Sequence, residues 1–244
     1  MLRLRSSQEI QIARVVLVKG GGTTRRSVCR VARKTLRIGL AGALNGVRIR
    51  DWYADHTAPD LIDVARDMQV PMEVTQKLNS RETRRVFRQA DADLGLSLGN
   101  GFIGPRIFAI PRFGMVNIHS EVLPDFRGAQ SVIWPIYEGV RQTGFTIHQI
   151  DEGIDTGAIL FREARRMSFG GSLRETVELN LAETRRRIPP ALCHVCENYK
   201  ALKANSTAQP KSGHVNYTTP TGLQFLRMLR NHRRLAAEQD DSRG

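Results

Sequence analysis

Apolar and polar positions along the chain follow two periods in turn. Residues 13–19, Ala-Arg-Val-Val-Leu-Val-Lys, are largely β-branched and apolar and are closed by Gly20, Gly21 and Gly22, the pattern of a buried strand entering a turn. Runs of the same kind at 70–74, 93–98, 114–119, 144–150 and 158–165 predict further strands. Between them the spacing predicts helices over 27–44, 58–68, 82–90, 105–109 and 129–138, with Ser80 placed as an N-cap and Pro59 and Asp60 opening the helix at 58. Strands alternating with helices in this way predict right-handed βαβ units, hence an α/β fold with a Rossmann-like, mostly parallel sheet flanked by helices. Helices over 172–187 and 191–202, broken at Pro189-Pro190, follow. A polar linker at 203–213 and a basic helix over 217–235 close the chain, so it divides into 1–202 and a tail at 203–244.

Composition narrows this picture. With 244 residues, 41% of them apolar and 25% charged, the chain can bury a core, which excludes disorder throughout. No apolar run approaches the roughly 18 residues that span a bilayer, and the first residues lack the apolar stretch of a secretory signal. Three cysteines, Cys29, Cys193 and Cys196, make no disulfide framework, which leads to the expectation of a reducing, cytoplasmic setting. Charge is less ordinary: 37 Lys and Arg against 24 Asp and Glu give a formal +13. Between Lys19 and Arg50 stand nine basic residues and no acid. That insert is either a solvated helix face or a surface for phosphates, nucleic acid or anionic lipid. The smaller basic groups, such as Arg227, Arg230, Arg233 and Arg234, read as solvated faces.

Candidate chemistry gathers in the middle of the chain. The strand period of two puts Asn117 and His119 on one face with Ile118 on the other, at the carboxyl end of a strand, where open α/β sheets bind ligands. Asp151-Glu-Gly-Ile-Asp-Thr-Gly, a glycine-punctuated loop after the strand carrying Thr146 and His148, supplies a carboxylate. An amide, an imidazole and a carboxylate converging on one point can polarise a carbonyl and move protons. Cys193-His-Val-Cys lacks a second ligand pair and reads as a buried helix face with reduced thiols rather than a metal site. Trp134 and Tyr137, at helical spacing, read as packing residues.

The block 114–160, GMVNIHSEVLPDFRGAQSVIWPIYEGVRQTGFTIHQIDEGIDTGAIL, resembles the formyltransferases that use 10-formyltetrahydrofolate: an Asn, an apolar residue and a His, then Leu-Pro and Arg-Gly, and later Asp-Thr-Gly, in order. The resemblance extends back to about Ala58 and fades in the tail. It implies a catalytic formyltransferase domain over 1–202, with Asn117, His119 and Asp155, rather than Asp151, as catalytic residues. His119 as imidazolium and Asn117 would donate to the developing oxyanion, Asp155 holding His119 and assisting proton removal. The pteridine of the formyl donor would lie against the backbone of Leu98, Gly99, Asn100, Gly101, Phe102 and Ile103 and of Asp151, Glu152, Gly153 and Ile154, with no metal required.

Two departures stand out. Glu121 occupies a position where many relatives have Ser. The family's opening strand and glycine-rich turn are expected to be absent, with 13–19 corresponding to the second strand and 1–11 to a remnant of the preceding helix, the alternative being that Gly20-Gly21-Gly22 is that first turn. The acceptor expected is an amino sugar or other small amine, phosphate-bearing if the 19–50 segment serves it, with methionyl-tRNA second. The competing reading is a formyltransferase fold with reduced activity that binds RNA or anionic surfaces through that segment.

Overall fold

A short apolar run of Val15, Val16, Leu17 and Val18 suits a pleated strand because branching at Cβ restricts χ1 to rotamers that pack well there. In the computed structural model, which describes residues 1–19, 25–55, 57–210 and 215–241, this run is β1 (Val15–Val18), preceded by α1 (Leu2–Arg5). The glycines at 20–22 and the side chains of Cys29 and Arg30 lie outside what is described. The remnant helix expected over 1–11 is only α1, because Ile10 and Ile12 recur at period two and pack against the core cluster of Val116, Phe145 and Ile147.

Next come α2 (Arg25–Trp52), broken at Gly39, then α3 (Leu61–Asp67), β2 (Met72–Thr75) and α4 (Arg81–Ala90). Asp60 and Ser80 cap α3 and α4 through Ile62 and Thr83. They lead to β3 (Gly95–Leu98), α5 (Pro105–Phe108), β4 (Met115–His119), β5 (Arg127–Gly128) and α6 (Ile133–Glu138). The chain continues through β6 (Gln142–Gln149), β7 (Ile159–Arg166), α7 (Leu173–Glu197), α8 (Tyr199–Ala204), β8 (Asn216–Tyr217) and α9 (Gly222–Asp241).

The architecture is mixed α/β. Parallel pairings join β1 to β2, β3 to β4 and β5 to β8. The main sheet runs β3-β4-β6-β7, and its last two strands join antiparallel, where βαβ units were expected. Residues 150–158 link β6 to β7, and so short a connection leaves no room for a helical crossover, which takes at least about 10–12 residues. Among the described residues no strand hydrogen-bonds both to β1–β2 and to the main sheet.

Several helix boundaries differ from the sequence reading. α2 runs to Trp52 rather than 44, because Ile49 and Trp52 are buried on its inner side. α3 begins at Leu61 rather than 58, and the helix expected over 191–202 is divided at Asn198. α7 runs through Pro189 and Pro190 without a break. Each proline costs about 3 kcal/mol in a helix interior. Leu181 before the pair and Leu192 and Val195 after it are buried, and their packing holds both flanks in line. α6 starts at Ile133 instead of 129, because Gln130 (φ 66°) and Val132 (φ 70°) are left-handed. α9 starts at Gly222: Tyr217 is spent on strand pairing with Gly128, and the Thr221 hydroxyl accepts from the Gln224 amide.

The tail packs onto the rest of the chain. Thr207 exchanges backbone hydrogen bonds with Ile159, and Phe225, Met228 and Leu235 of α9 join a core cluster with Trp52, Trp134 and Ile136. Trp134 is buried edge-on to Tyr137, as packing residues should be. Cys193 is buried and Cys196 half-buried on α7, both thiols free. No described helix is long and apolar enough to cross a membrane.

Candidate active site

Period two along β4 sends Val116 into the core beneath the sheet and leaves Asn117 and His119 facing the other way. The antiparallel register then sets His148 of β6 opposite Asn117 and Thr146 opposite His119. Asp155 completes the group from the loop after β6, held with φ 52°, a conformation Asp tolerates better than most side chains. The Asn117 amide nitrogen lies 3.4 Å from Asp155 Oδ1 and 3.3 Å from His148 Nε2. His119 Nδ1 is 3.5 Å from Asp155 Oδ2, and His148 Nε2 is 3.5 Å from Oδ1. The Gly128 amide donates to Asp155 Oδ2 at 3.0 Å.

The outer nitrogens fix the tautomers. His119 Nε2 sits 2.6 Å from the Phe126 carbonyl and His148 Nδ1 2.8 Å from the Gln149 carbonyl, and a carbonyl only accepts, so both nitrogens carry protons. His119 Nδ1 is thereby the basic nitrogen, aimed at Asp155. Burial lowers the His119 pKa below the ordinary imidazole value, with the Asp155 charge opposing. Burial by itself would raise Asp155, but its contact with His148, the His119 charge and the Gly128 amide outweigh it and hold the carboxyl low. The pair can therefore take up a proton at His119 Nδ1 and share it with a carboxylate. The His119 Nε2–H is engaged by the Phe126 carbonyl.

A cleft of about 740 Å³ opens over these residues. Of the loop positions expected at a ligand, Gly99, Asn100, Gly101, Phe102, Ile103, Asp151, Gly153 and Ile154 line it, while Leu98 and Glu152 do not. Ser97 takes the cleft-facing position at the end of β3, so the strand period turns Leu98 outward, and Glu152 stands in solvent. A Cβ added at Gly99 or Gly101 would meet nothing within 4 Å, so both leave open room along the wall. Gly153 is small for another reason: its Cβ would lie 2.0 Å from the Thr156 hydroxyl. Asp151 braces the same loop, accepting from the Gly153 amide and the Thr156 hydroxyl.

Other residues at the site had no role assigned to them from the sequence. His148 could have been found only from polar Thr146 and His148 recurring at period two in an apolar strand. Glu121 lies fully buried behind the wall formed by 129–131, accepting from the Val132 amide (2.7 Å), the Thr143 hydroxyl (2.6 Å) and the Val122 amide (3.1 Å). Burial pushes its pKa up to about 7 against these donors and Arg165. Tyr53 ties down the same wall through the Ser131 carbonyl. Among the described residues no group of His, Cys, Asp and Glu is arranged to hold a metal ion.

Known proteins share this framework. Across 170 residues the chain is 28% identical to a methionyl-tRNA formyltransferase of Agathobacter rectalis, covering 65% of this chain and 54% of that protein. It is 36% identical over 109 residues to that of Deinococcus radiodurans, covering 44% and 34%. The chain thus spans about half or less of the length of these curated relatives. A solved phosphoribosylglycinamide formyltransferase from Bacillus halodurans matches in fold, with a TM-score of 0.51 at 20% identity, over 76% of this chain and 96% of that one. The family model described as formyl transferase matches residues 51–188, more than half of the 244 and the stretch that carries Asn117, His119, His148 and Asp155, so the chain belongs to the formyl transferase family.

Proposed function

We propose that this chain transfers a formyl group from 10-formyltetrahydrofolate to a primary amine. The observation that carries this reading is the gathering of Asn117, His119 and His148 around Asp155, at 3.4–3.5 Å from its carboxylate, on the floor of the cleft.

The residues present fit a folate. The Gly99–Gly101 wall leaves room where side chains would project, Phe102 and Ile154 are half-exposed apolar flanks, and Gln130 Oε1 is buried beside the cleft without a hydrogen-bond partner among the described residues. Loops 99–103 and 151–154 would hold the ring, their backbone groups reading its edge. When bound, the donor supplies an electrophilic formyl carbonyl. Asn117 lines the cleft, and Asp155 and His148 fix the orientation of its amide. His119 Nδ1 accepts the proton that an attacking amine must lose, and Asp155 stabilises the resulting imidazolium.

For the acceptor, an amino sugar or another small amine is put first and methionyl-tRNA second. The test incubates the full chain with 10-formyltetrahydrofolate and, separately, an amino-sugar nucleotide and methionyl-tRNA, following tetrahydrofolate release and the mass of the product. Release that needs an amine and disappears in Asp155→Asn is expected. No release above the uncatalysed rate with either amine refutes the reading.

A further inference from the structure

One buried acid takes no part in the chemistry above. Glu121 follows His119 by two residues, is 1% exposed and does not itself line the cleft. Its Oε1 accepts from the Val132 amide and the Thr143 hydroxyl, and its Oε2 from the Val122 amide. Arg165, the cation that bears on it, gives its hydrogen bonds to Asn180 and Thr184 instead. A carboxyl so buried, held by hydrogen bonds without an ion pair among the described residues, is costly to place. Its shorter link to a backbone amide is the 2.7 Å bond to Val132, the residue that ends the cleft wall at 128–131.

That wall needs holding. Gln130 and Val132 have φ of 66° and 70°, and a β-branched residue in the left-handed region persists only where its surroundings over-determine it. Three anchors do so: Glu121 at Val132, the Tyr53 hydroxyl on the Ser131 carbonyl at 2.5 Å, and the Ala129 amide on the Tyr217 carbonyl at 2.9 Å. The segment so held stands on one side of Asp155. Oδ1 faces Asn117 and His148, whereas Oδ2 takes the Gly128 amide and faces His119 Nδ1. On the formyl-transfer reading above, on which this inference rests, His119 Nδ1 receives the proton of the attacking amine. The amine therefore enters on the Oδ2 side, beside Gly128. With loops 99–103 and 151–154 given to the donor's ring, 128–131 is the wall left to the acceptor. We propose that Glu121 is a positioning residue for the acceptor: it touches no substrate, and through Val132 it sets the wall against which the amine is presented.

The test compares Glu121→Leu, Glu121→Gln and Tyr53→Phe with wild type in the full chain, with an amino-sugar nucleotide and methionyl-tRNA as the amines. Leucine has a similar volume and no acceptor atom. Glu121→Leu should raise the Michaelis constant for the amine that wild type formylates about tenfold, with turnover and folate affinity within about twofold of wild type. Glutamine keeps a carbonyl for Val132 and should raise that constant by no more than about threefold. Tyr53→Phe, which removes only the Ser131 anchor, should raise it roughly threefold. Amide hydrogen exchange, read by mass spectrometry, should quicken over 127–134 in Glu121→Leu and stay unchanged over 97–103. Adding Thr143→Val to Glu121→Leu removes the orphaned hydroxyl and should recover part of the melting temperature without recovering the Michaelis constant, a split that a merely stabilising role would not produce. Amine Michaelis constants within about twofold of wild type in Glu121→Leu and Tyr53→Phe overturn the proposal and leave formyl transfer standing. So does a loss of folate affinity as large as that for the amine. Should Glu121→Leu fail to fold, Tyr53→Phe decides by the same criterion. No tetrahydrofolate release by wild type with either amine refutes formyl transfer itself, and the acceptor role falls with it.

Discussion

Glu121→Gln, followed across pH, puts a number on the buried carboxyl behind the cleft wall. Its pKa rises from the ordinary 4.5 to about 7 in the fold, chiefly by burial. A group with a raised folded pKa binds its proton more tightly when folded. Its contribution is therefore fully present below about pH 4.5 and is lost as pH rises through about 7. At about 1.4 kcal/mol per pH unit, the step from 4.5 to about 7 amounts to about 3 kcal/mol. Glutamine is neutral throughout. Its carbonyl can still accept from Val132 and Thr143, but its amide nitrogen meets the Val122 N–H, donor against donor, at a pH-independent cost of about 1–3 kcal/mol. The assay is urea unfolding of both proteins at several pH values between about 5 and 8, plotted as the difference, so that all other titrating groups cancel. Wild type should lead at low pH, and its lead should shrink by about 3 kcal/mol toward pH 8. A flat difference refutes the reasoning, because it would mean that Arg165 and the three donors hold the buried carboxyl charged at no cost.

Other outcomes follow from the site. His119→Ala should lower turnover by about 10²–10³ with folate affinity nearly intact, checked by steady-state kinetics and titration of the folate. Asp155→Asn, which keeps the backbone conformation, should abolish turnover, whereas Asp151→Asn should chiefly raise the Michaelis constant for the folate, because Asp151 braces the 151–156 loop; the reverse pattern would mean the two carboxylates have been assigned wrongly. Gly101→Ala should leave the melting temperature unchanged, since its Cβ meets nothing, while weakening folate binding measured by fluorescence quenching.

Much of this protein is legible one element at a time. Strands 13–19, 93–98 and 114–119 and the capped helices at 60 and 80 follow from period, branching and capping, which act over a few residues. Period two also places Asn117 and His119 together, and the pattern ending in Asp155-Thr-Gly brings the third residue of the site through family resemblance. Tertiary structure decided the rest because each part depends on residues far apart in sequence. His148 joins the site only because β6 pairs antiparallel with β4 in the register that opposes it to Asn117. The proton placement on His119 depends on the Phe126 carbonyl, which no spacing announces. Pro189 and Pro190 stay helical because the buried residues on either side outweigh a local rule, and Tyr217 leaves the helix its sequence suggested to pair with Gly128. Glu121, marked in the sequence only by standing where many relatives have Ser, is fully buried, and the Val132 amide of the 129–132 segment donates to it.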